Sequence, residues 1–164
     1  GSDRYLKEIA SAVSTPCLRK DFTVDLYQIY EAKTLGASAV LLICTILSDR
    51  QLRDFRETAE GLGLSALVEA HTAEEVRRAA ASGASLIGVN NRDLKTFQVD
   101  LSAAVSLRSL VPPEAVFVSE SGLRGPEDAA RAAAFGADAV LVGEAMMKAP
   151  DKAAFLASLR EAAR

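Results

Sequence analysis

Gly36-Ala37-Ser38-Ala39-Val40-Leu41-Leu42 recurs as Gly83-Ala84-Ser85-Leu86-Ile87-Gly88-Val89 and as Gly136-Ala137-Asp138-Ala139-Val140-Leu141-Val142. In each copy a glycine stands where a helix ends, since the left-handed backbone that closes a helix suits a residue without Cβ. A small turn follows, then a β-branched, apolar run. These runs are continuous rather than alternating, so both faces are buried, as in a parallel sheet covered by helices.

Six such runs end in a small or polar residue: Lys20, Cys44, Glu69, Asn90, Glu120 and Gly143. The endings recur about every 25 residues, the length of one strand–helix unit. The expected order is helix 3–13, strand 15–20, helix 25–35, strand 38–44, helix 49–61, strand 64–70, helix 73–82, strand 85–90, helix 100–110, strand 115–120, helix 126–135, strand 138–143 and helix 150–162. Helix starts are legible at Asp25…Gln28, Ser48…Gln51 and Thr72…Glu75, which have capping-box spacing. Pro126 and Pro150 suit first-turn positions. Repeated βα order gives a barrel or an open doubly wound sheet. No Gly-x-Gly-x-x-Gly follows the first strand, so dinucleotide binding has no support.

Composition bounds the partners. The 164 residues carry a net charge of −3, with 49% hydrophobic and 25% charged residues. This describes an ordinary globular domain, 3–164, with no electrostatic reason to expect nucleic acid. The longest clearly apolar stretch, Ala39 to Cys44, is far short of the ~20 residues of a membrane span. Gly1-Ser2 reads as a tag-cleavage scar. Cys17 and Cys44 read as two buried strand thiols of a cytoplasmic protein. The single histidine, His71, excludes a His-rich metal site.

In a (β/α)₈ barrel the chemistry sits at the C-terminal ends of the strands. Strand alternation puts Leu18 with Lys20, Leu67 with Glu69, Gly88 with Asn90 and Val118 with Glu120 on one face. Lys20, Glu69, Asn90 and Glu120 then converge on one mouth, with Arg92 in the adjoining loop. A Lys–Glu pair there is a natural general acid and base. Ser121-Gly122 and Gly143-Glu144 follow the last two strands, where this fold binds phosphate through backbone N–H groups. Cys44 ends its strand toward the same mouth, with packing preferred over pocket lining. His71 reads as a helix-entry hydrogen bonder. Glu144 must point away if phosphate is to bind.

The segments Leu18-Arg19-Lys20-Asp21-Phe22, Val68-Glu69-Ala70-His71, Gly88-Val89-Asn90-Asn91-Arg92-Asp93-Leu94, Val118-Ser119-Glu120-Ser121-Gly122 and Leu141-Val142-Gly143-Glu144 together resemble indole-3-glycerol phosphate synthase. The resemblance runs from Asp3 to Arg164 and corresponds to that family from its second helix through its eighth strand and helix. It implies a partial (β/α)₈ barrel of six parallel strands, a truncated form without the first two strands and the second catalytic Lys they carry. It implies closure and decarboxylation of 1-(2-carboxyphenylamino)-1-deoxyribulose 5-phosphate, with no metal or organic cofactor. Lys20 would be the general acid, Glu69 an acid or base in dehydration, and Glu120 the group positioning the amine and Lys20. Asn90 and Arg92 would hold substrate oxygens. Ser121, Gly122 and Gly143 would hold phosphate.

Two further expectations follow. The exposed edges at 15–20 and 138–143 recruit other chains, most simply in a homodimer. Ring closure by this stretch alone is very weak. The alternative is a non-catalytic barrel-fragment assembly module that retains a phosphate site. Other ribose-phosphate barrels, such as phosphoribosylanthranilate isomerase or a thiamine-pathway synthase, fit the Lys-Asp-Phe, Asn-Asn-Arg-Asp-Leu and Glu-Ser-Gly set less well.

Overall fold

A computed structural model of the chain describes residues 1–92 and 102–163. Helix α1 (Asp3–Ala12) is followed by β1 (Leu18–Arg19), α2 (Leu26–Thr34), β2 (Ala39–Ile43), α3 (Asp49–Gly61), β3 (Ser65–Ala70), α4 (Ala73–Ala81) and β4 (Leu86–Asn90). Then come α5 (Ser102–Leu107) with a 3-10 turn at Arg108–Leu110, β5 (Val116–Glu120), α6 (Pro126–Ala134), β6 (Ala139–Leu141), α7 (Glu144–Lys148) and α8 (Lys152–Ala162). Asp93 and Leu94 of the Asn-Asn-Arg-Asp-Leu motif, and the first residues of the expected helix 100–110, lie outside the described residues.

The repeated glycines close their helices alike. Gly36, Gly83 and Gly136 have φ of +87°, +83° and +86°. In each case the next amide reaches back to a buried alanine carbonyl: Ala37 to Ala32 at 3.0 Å, Ala84 to Ala79 at 3.4 Å and Ala137 to Ala132 at 3.0 Å. This is the Schellman closure, which ties up carbonyls the helix leaves unpaired. The structure adds a fourth instance that the repeat did not reveal, Leu64 to Ala59 at 2.9 Å across Gly63.

All six strands are parallel, in the order β1-β2-β3-β4-β5-β6. Outward side chains Val40, Leu42, Val68, Ile87, Val89 and Phe117 pack beneath the helices. Inward ones, Leu41, Ile43, Leu67 and Val118, form a smaller inner lining. The sheet is curled. In a flat sheet β1 and β5 would stand roughly 19 Å apart at ~4.8 Å per strand. Lys20, just past β1, instead lies 3.5 Å from Glu120 at the end of β5. The architecture is an α/β partial barrel with helices outside.

Several expectations need correcting. Strand 15–20 shrinks to Leu18–Arg19, and strand 138–143 to Ala139–Leu141, because each has a neighbour on one side only. Pro150 is not in a first turn; Asp151 caps α8, accepting from the Ala154 amide at 2.9 Å. The capping boxes at Asp25…Gln28 and Ser48…Gln51 are complete. At Thr72 only half a box forms, since the Glu75 carboxylate accepts from the His71 amide at 2.7 Å. Cys17 is half-buried just before β1, not a buried strand thiol.

Cys44 turns away from the mouth. Ile43 pairs in register with Glu69, so Ile43 faces inward and Cys44 packs under the helices. Burial, and then the neighbouring Glu75 carboxylate, push its thiol up to about 12. A buried thiol of that kind is inert. A thiol-specific reagent at pH 7.5 is therefore expected to label Cys17 in the folded chain and Cys44 only in denaturant. Native labelling of both at equal rates would contradict this packing. None of the described helices is long and apolar enough to cross a membrane.

Candidate active site

The mouth of the curled sheet gathers four of the expected residues. Lys20 Nζ lies 3.2 Å from Glu69 Oε2 and 3.5 Å from Glu120 Oε2. Asn90 Nδ2 donates to Glu69 Oε1 at 3.2 Å, and Asn90 Oδ1 accepts the Arg92 amide at 3.0 Å. The Glu69 and Glu120 side chains are 3% and 0% exposed, while Lys20 is 41% exposed. One cation with a solvent path thus faces two carboxylates without one.

The two carboxylates differ in protonation. Burial, then the charge of Glu69, raise Glu120 to about 8, against the opposing pull of Lys20. Burial acts on Glu69 in the same direction. It is outweighed by the Lys20 charge and by hydrogen bonds from Glu120, Asn90 and Lys20, which leave Glu69 below the ordinary carboxylate range. At neutral pH one proton resides on Glu120 and Glu69 is an anion, as expected where two carboxyls share one desolvated site.

Gly88 makes room for Glu120. A Cβ at residue 88 would meet the Glu120 carboxylate, with its Cδ at 2.9 Å, and Leu67 Cδ1 at 3.2 Å. Gly88→Ala is expected to lower unfolding stability by about 2 kcal/mol, the usual cost of overpacking, in urea titration. Unchanged stability would show that Glu120 can relocate freely.

His71 sits behind Glu69. Its ring nitrogens lie 3.6 Å from Glu69 Oε1 and from Glu75 Oε2, too long for hydrogen bonds. Its backbone N–H makes the helix-entry bond to Glu75.

Beside this centre opens a cleft of ≈ 820 Å³ lined by Lys20, Arg92, Ser121, Gly122 and Gly143, among others. Ser121 is in left-handed backbone at φ 65°, and Gly122 follows at φ 84°. The Ser121 N–H is committed to the Leu141 carbonyl at 3.3 Å, so its hydroxyl is what remains for a ligand. Glu144 does not point away as expected but lines the cleft, where its charge is balanced: Lys148 Nζ is 2.7 Å and Arg92 Nη2 3.2 Å from its carboxylate. The hydrogen bond and charge of Lys148, followed by those of Arg92, hold it below the usual range. Arg124 and Lys148 also line the cleft. Sequence reasoning missed both, because neither lies at a strand end. They make the cleft cationic in a chain of net charge −3.

Asn91, between Asn90 and Arg92, makes several hydrogen bonds near the mouth. Its Nδ2 lies 3.1 Å from Ser119 Oγ, 3.0 Å from the Glu120 carbonyl and 3.2 Å from the Ser121 carbonyl.

Fold and site define a (β/α)-barrel protein with one lysine over two buried carboxylates beside a cationic cleft. The family model for indole-3-glycerol phosphate synthase matches residues 1–159. The chain belongs to the indole-3-glycerol phosphate synthase family. It is 52% identical over 163 residues to the indole-3-glycerol phosphate synthase of Ruminiclostridium cellulolyticum, covering 99% of this chain and 63% of that protein. The Arthrobacter sp. indole-3-glycerol phosphate synthase is 56% identical over 147 residues, 90% of this chain and 54% of that protein. The chain thus spans less than two thirds of these relatives' length. Among solved structures, 3-hexulose-6-phosphate synthase from Salmonella typhimurium is similar with a TM-score of 0.79 at 18% identity, over 98% of this chain and 79% of that one. A mandelate oxidase mutant is similar with a TM-score of 0.73 at 20% identity, over 96% and 58%. At such identities the likeness is one of fold.

Proposed function

We propose that this chain carries the acid–base and phosphate-binding part of an indole-3-glycerol phosphate synthase, closing the ring of 1-(2-carboxyphenylamino)-1-deoxyribulose 5-phosphate with loss of carbon dioxide and water. The observation that carries the reading is Lys20 Nζ within 3.5 Å of two buried carboxylates at the mouth. Lys20 is the general acid: its ammonium gives a proton to the ketone oxygen as the new carbon–carbon bond forms. Glu69, kept ionised, takes a proton in the later dehydration. Glu120 orients Lys20 and the substrate amine. Asn90 and Arg92 hold substrate oxygens, and Arg92 exchanges Glu144 for the ligand as it does so. The Ser121 hydroxyl with the Gly122 and Gly143 backbone holds the phosphate, in a cleft whose charge attracts it.

The partners are a phosphorylated small molecule and, at the sheet edges, another polypeptide segment. Strands β1 and β6 pair with one neighbour each and not with one another. Open parallel edges recruit strands, so this chain is expected to self-associate, most simply as a two-fold dimer. A monomer at micromolar concentration in sedimentation would contradict that. The unbridged thiols of Cys17 and Cys44 fit a cytoplasmic setting.

The test is a turnover assay. This stretch alone is expected to close the ring very weakly, and addition of the N-terminal strands of a relative in trans to raise the rate. The reading fails if the complemented chain does not turn over, or if Lys20→Ala leaves its turnover intact.

A further inference from the structure

We propose that Asn91 is the positioning residue of the Ser121–Gly122 loop, its buried carboxamide holding Ser121 in the left-handed backbone that brings the loop to the cleft. The inference deepens the phosphate reading of that loop and rests on it.

Ser121 is the one non-glycine residue at positive φ among the described residues, at 65°. A side chain there crowds the following carbonyl, and the conformation persists only where the surroundings over-determine it. Two pins do so. On one side the Ser121 N–H is bound to the Leu141 carbonyl of β6 at 3.3 Å. On the other, Asn91 Nδ2 lies 3.2 Å from the Ser121 carbonyl and 3.0 Å from the Glu120 carbonyl. The Asn91 backbone N–H adds a bond to the same Glu120 carbonyl at 2.8 Å.

The chemistry of the site calls for a carboxamide. Nδ2 brings two hydrogens to a cluster of three oxygens, the third being Ser119 Oγ at 3.1 Å. Oδ1 accepts the Ala104 amide of α5 at 3.1 Å. Aspartate would set a carboxylate against two backbone carbonyls. Leucine, at a position 3% exposed, would strip the Ser121 carbonyl of this donor and leave the Glu120 carbonyl only the backbone bond. One side chain therefore fixes the end of β5, the loop after it and the first part of α5. It does so from the residue between Asn90 and Arg92, so the oxygen-holding groups and the phosphate loop share one anchor.

If Asn91 acts by stabilising left-handed Ser121, its removal matters less where residue 121 has no Cβ to strain. The test is a cycle of four proteins: the parent chain, Asn91→Ala, Ser121→Gly and the double variant, titrated calorimetrically with inorganic phosphate. Asn91→Ala is expected to weaken phosphate about tenfold in the Ser121 background and less than twofold in the Ser121→Gly background, a coupling ordinary for neighbouring groups. Equal weakening in both backgrounds, or none beside Ser121, overturns the proposal. If the parent chain binds no phosphate, the phosphate reading fails. The positioning claim is then decided by thermal midpoints: a larger drop from Asn91→Ala beside Ser121 than in the Ser121→Gly background supports it, and additive drops overturn it. Should Asn91→Ala fold only in the Ser121→Gly background, the claim is supported; failure to fold in both overturns it.

Discussion

Lys20→Met is expected to lower turnover of the complemented chain by about three orders of magnitude and to destabilise the chain at neutral pH but not in acid. The kinetic loss is that of a positioned general acid, roughly 10²–10⁴-fold, enlarged because the same ammonium sets the protonation of both carboxylates. The stability loss follows from Glu69. With Lys20 present, Glu69 is held below its ordinary value despite burial. It therefore contributes stability above the unfolded pKa, and that contribution is lost as pH falls through the folded one. Without Lys20 the charge and one of the hydrogen bonds that oppose burial are gone, so this contribution shrinks. The gap between parent and variant opens above pH ~5 and closes in acid. Removing one partner of a fully buried pair costs about 3–5 kcal/mol, and discounting for the 41% exposure of Lys20 leaves about 2 kcal/mol at pH 7. Urea unfolding at pH 4 and pH 7 measures the gap. A loss equal at both pH values would place the effect in packing rather than charge.

Glu120→Gln moves stability and activity in opposite directions. The Glu120 carboxyl is raised from 4.5 to about 8, chiefly by burial and then by Glu69. Between those values the folded chain keeps a proton that the unfolded chain releases. The parent therefore loses stability as pH rises from about 4.5 to about 8, and the loss is constant above that. Glutamine has no proton to lose and can still donate to Glu69. The variant is expected to show no such decline and to exceed the parent at pH 8 by on the order of 2 kcal/mol. The full shift is not recovered, because an amide does not reproduce every hydrogen bond of a protonated carboxyl in a buried site. Turnover in the complemented chain should fall at least about a hundredfold, the scale of a lost group that acts with Lys20 in the transition state. Parallel stability curves for parent and variant between pH 5 and 8 would falsify the assignment of the shared proton to Glu120. A gain in stability with loss of turnover marks a residue kept for chemistry.

Much of the fold was legible because helix ends carry local chemistry. Asp25 and Ser48 start helices through side-chain bonds that need only four residues of sequence. Gly36, Gly83 and Gly136 end them through a backbone sign that only the local chain sets. Strand phase was harder. Ala39–Cys44 is apolar at every position, so nothing in the run tells inward from outward, and Cys44 was aimed at the mouth in place of Ile43. Pairing with Glu69 decides that phase, and pairing is tertiary. The helix α7 was missed because five residues make too few turns to show a period, and Pro150 drew the next helix start two residues early. The meeting of Lys20, Glu69, Asn90 and Glu120 was legible because each ends a strand on the same face of the sheet. Arg124, Lys148 and Asn91 were not, since their importance lies in what the curl of the sheet brings beside them.

Each strand of this sheet bonds only to the strands next to it in sequence, which makes the chain a linear array that frays from its ends. The two-residue β1 and the three-residue β6 are the ends, and α1 buries no residue at all. Backbone amide exchange should therefore be fastest at the two edges and slowest around β3 and β4. Glu69 and Asn90 belong to the slow middle. Lys20 and Gly143 belong to the fraying ends, so the amine of the centre and one wall of the cationic cleft should depart together, well before the chain unfolds. Whatever holds the two edges down in solution, a second copy or additional strands, thereby sets the fraction of time in which the centre is complete.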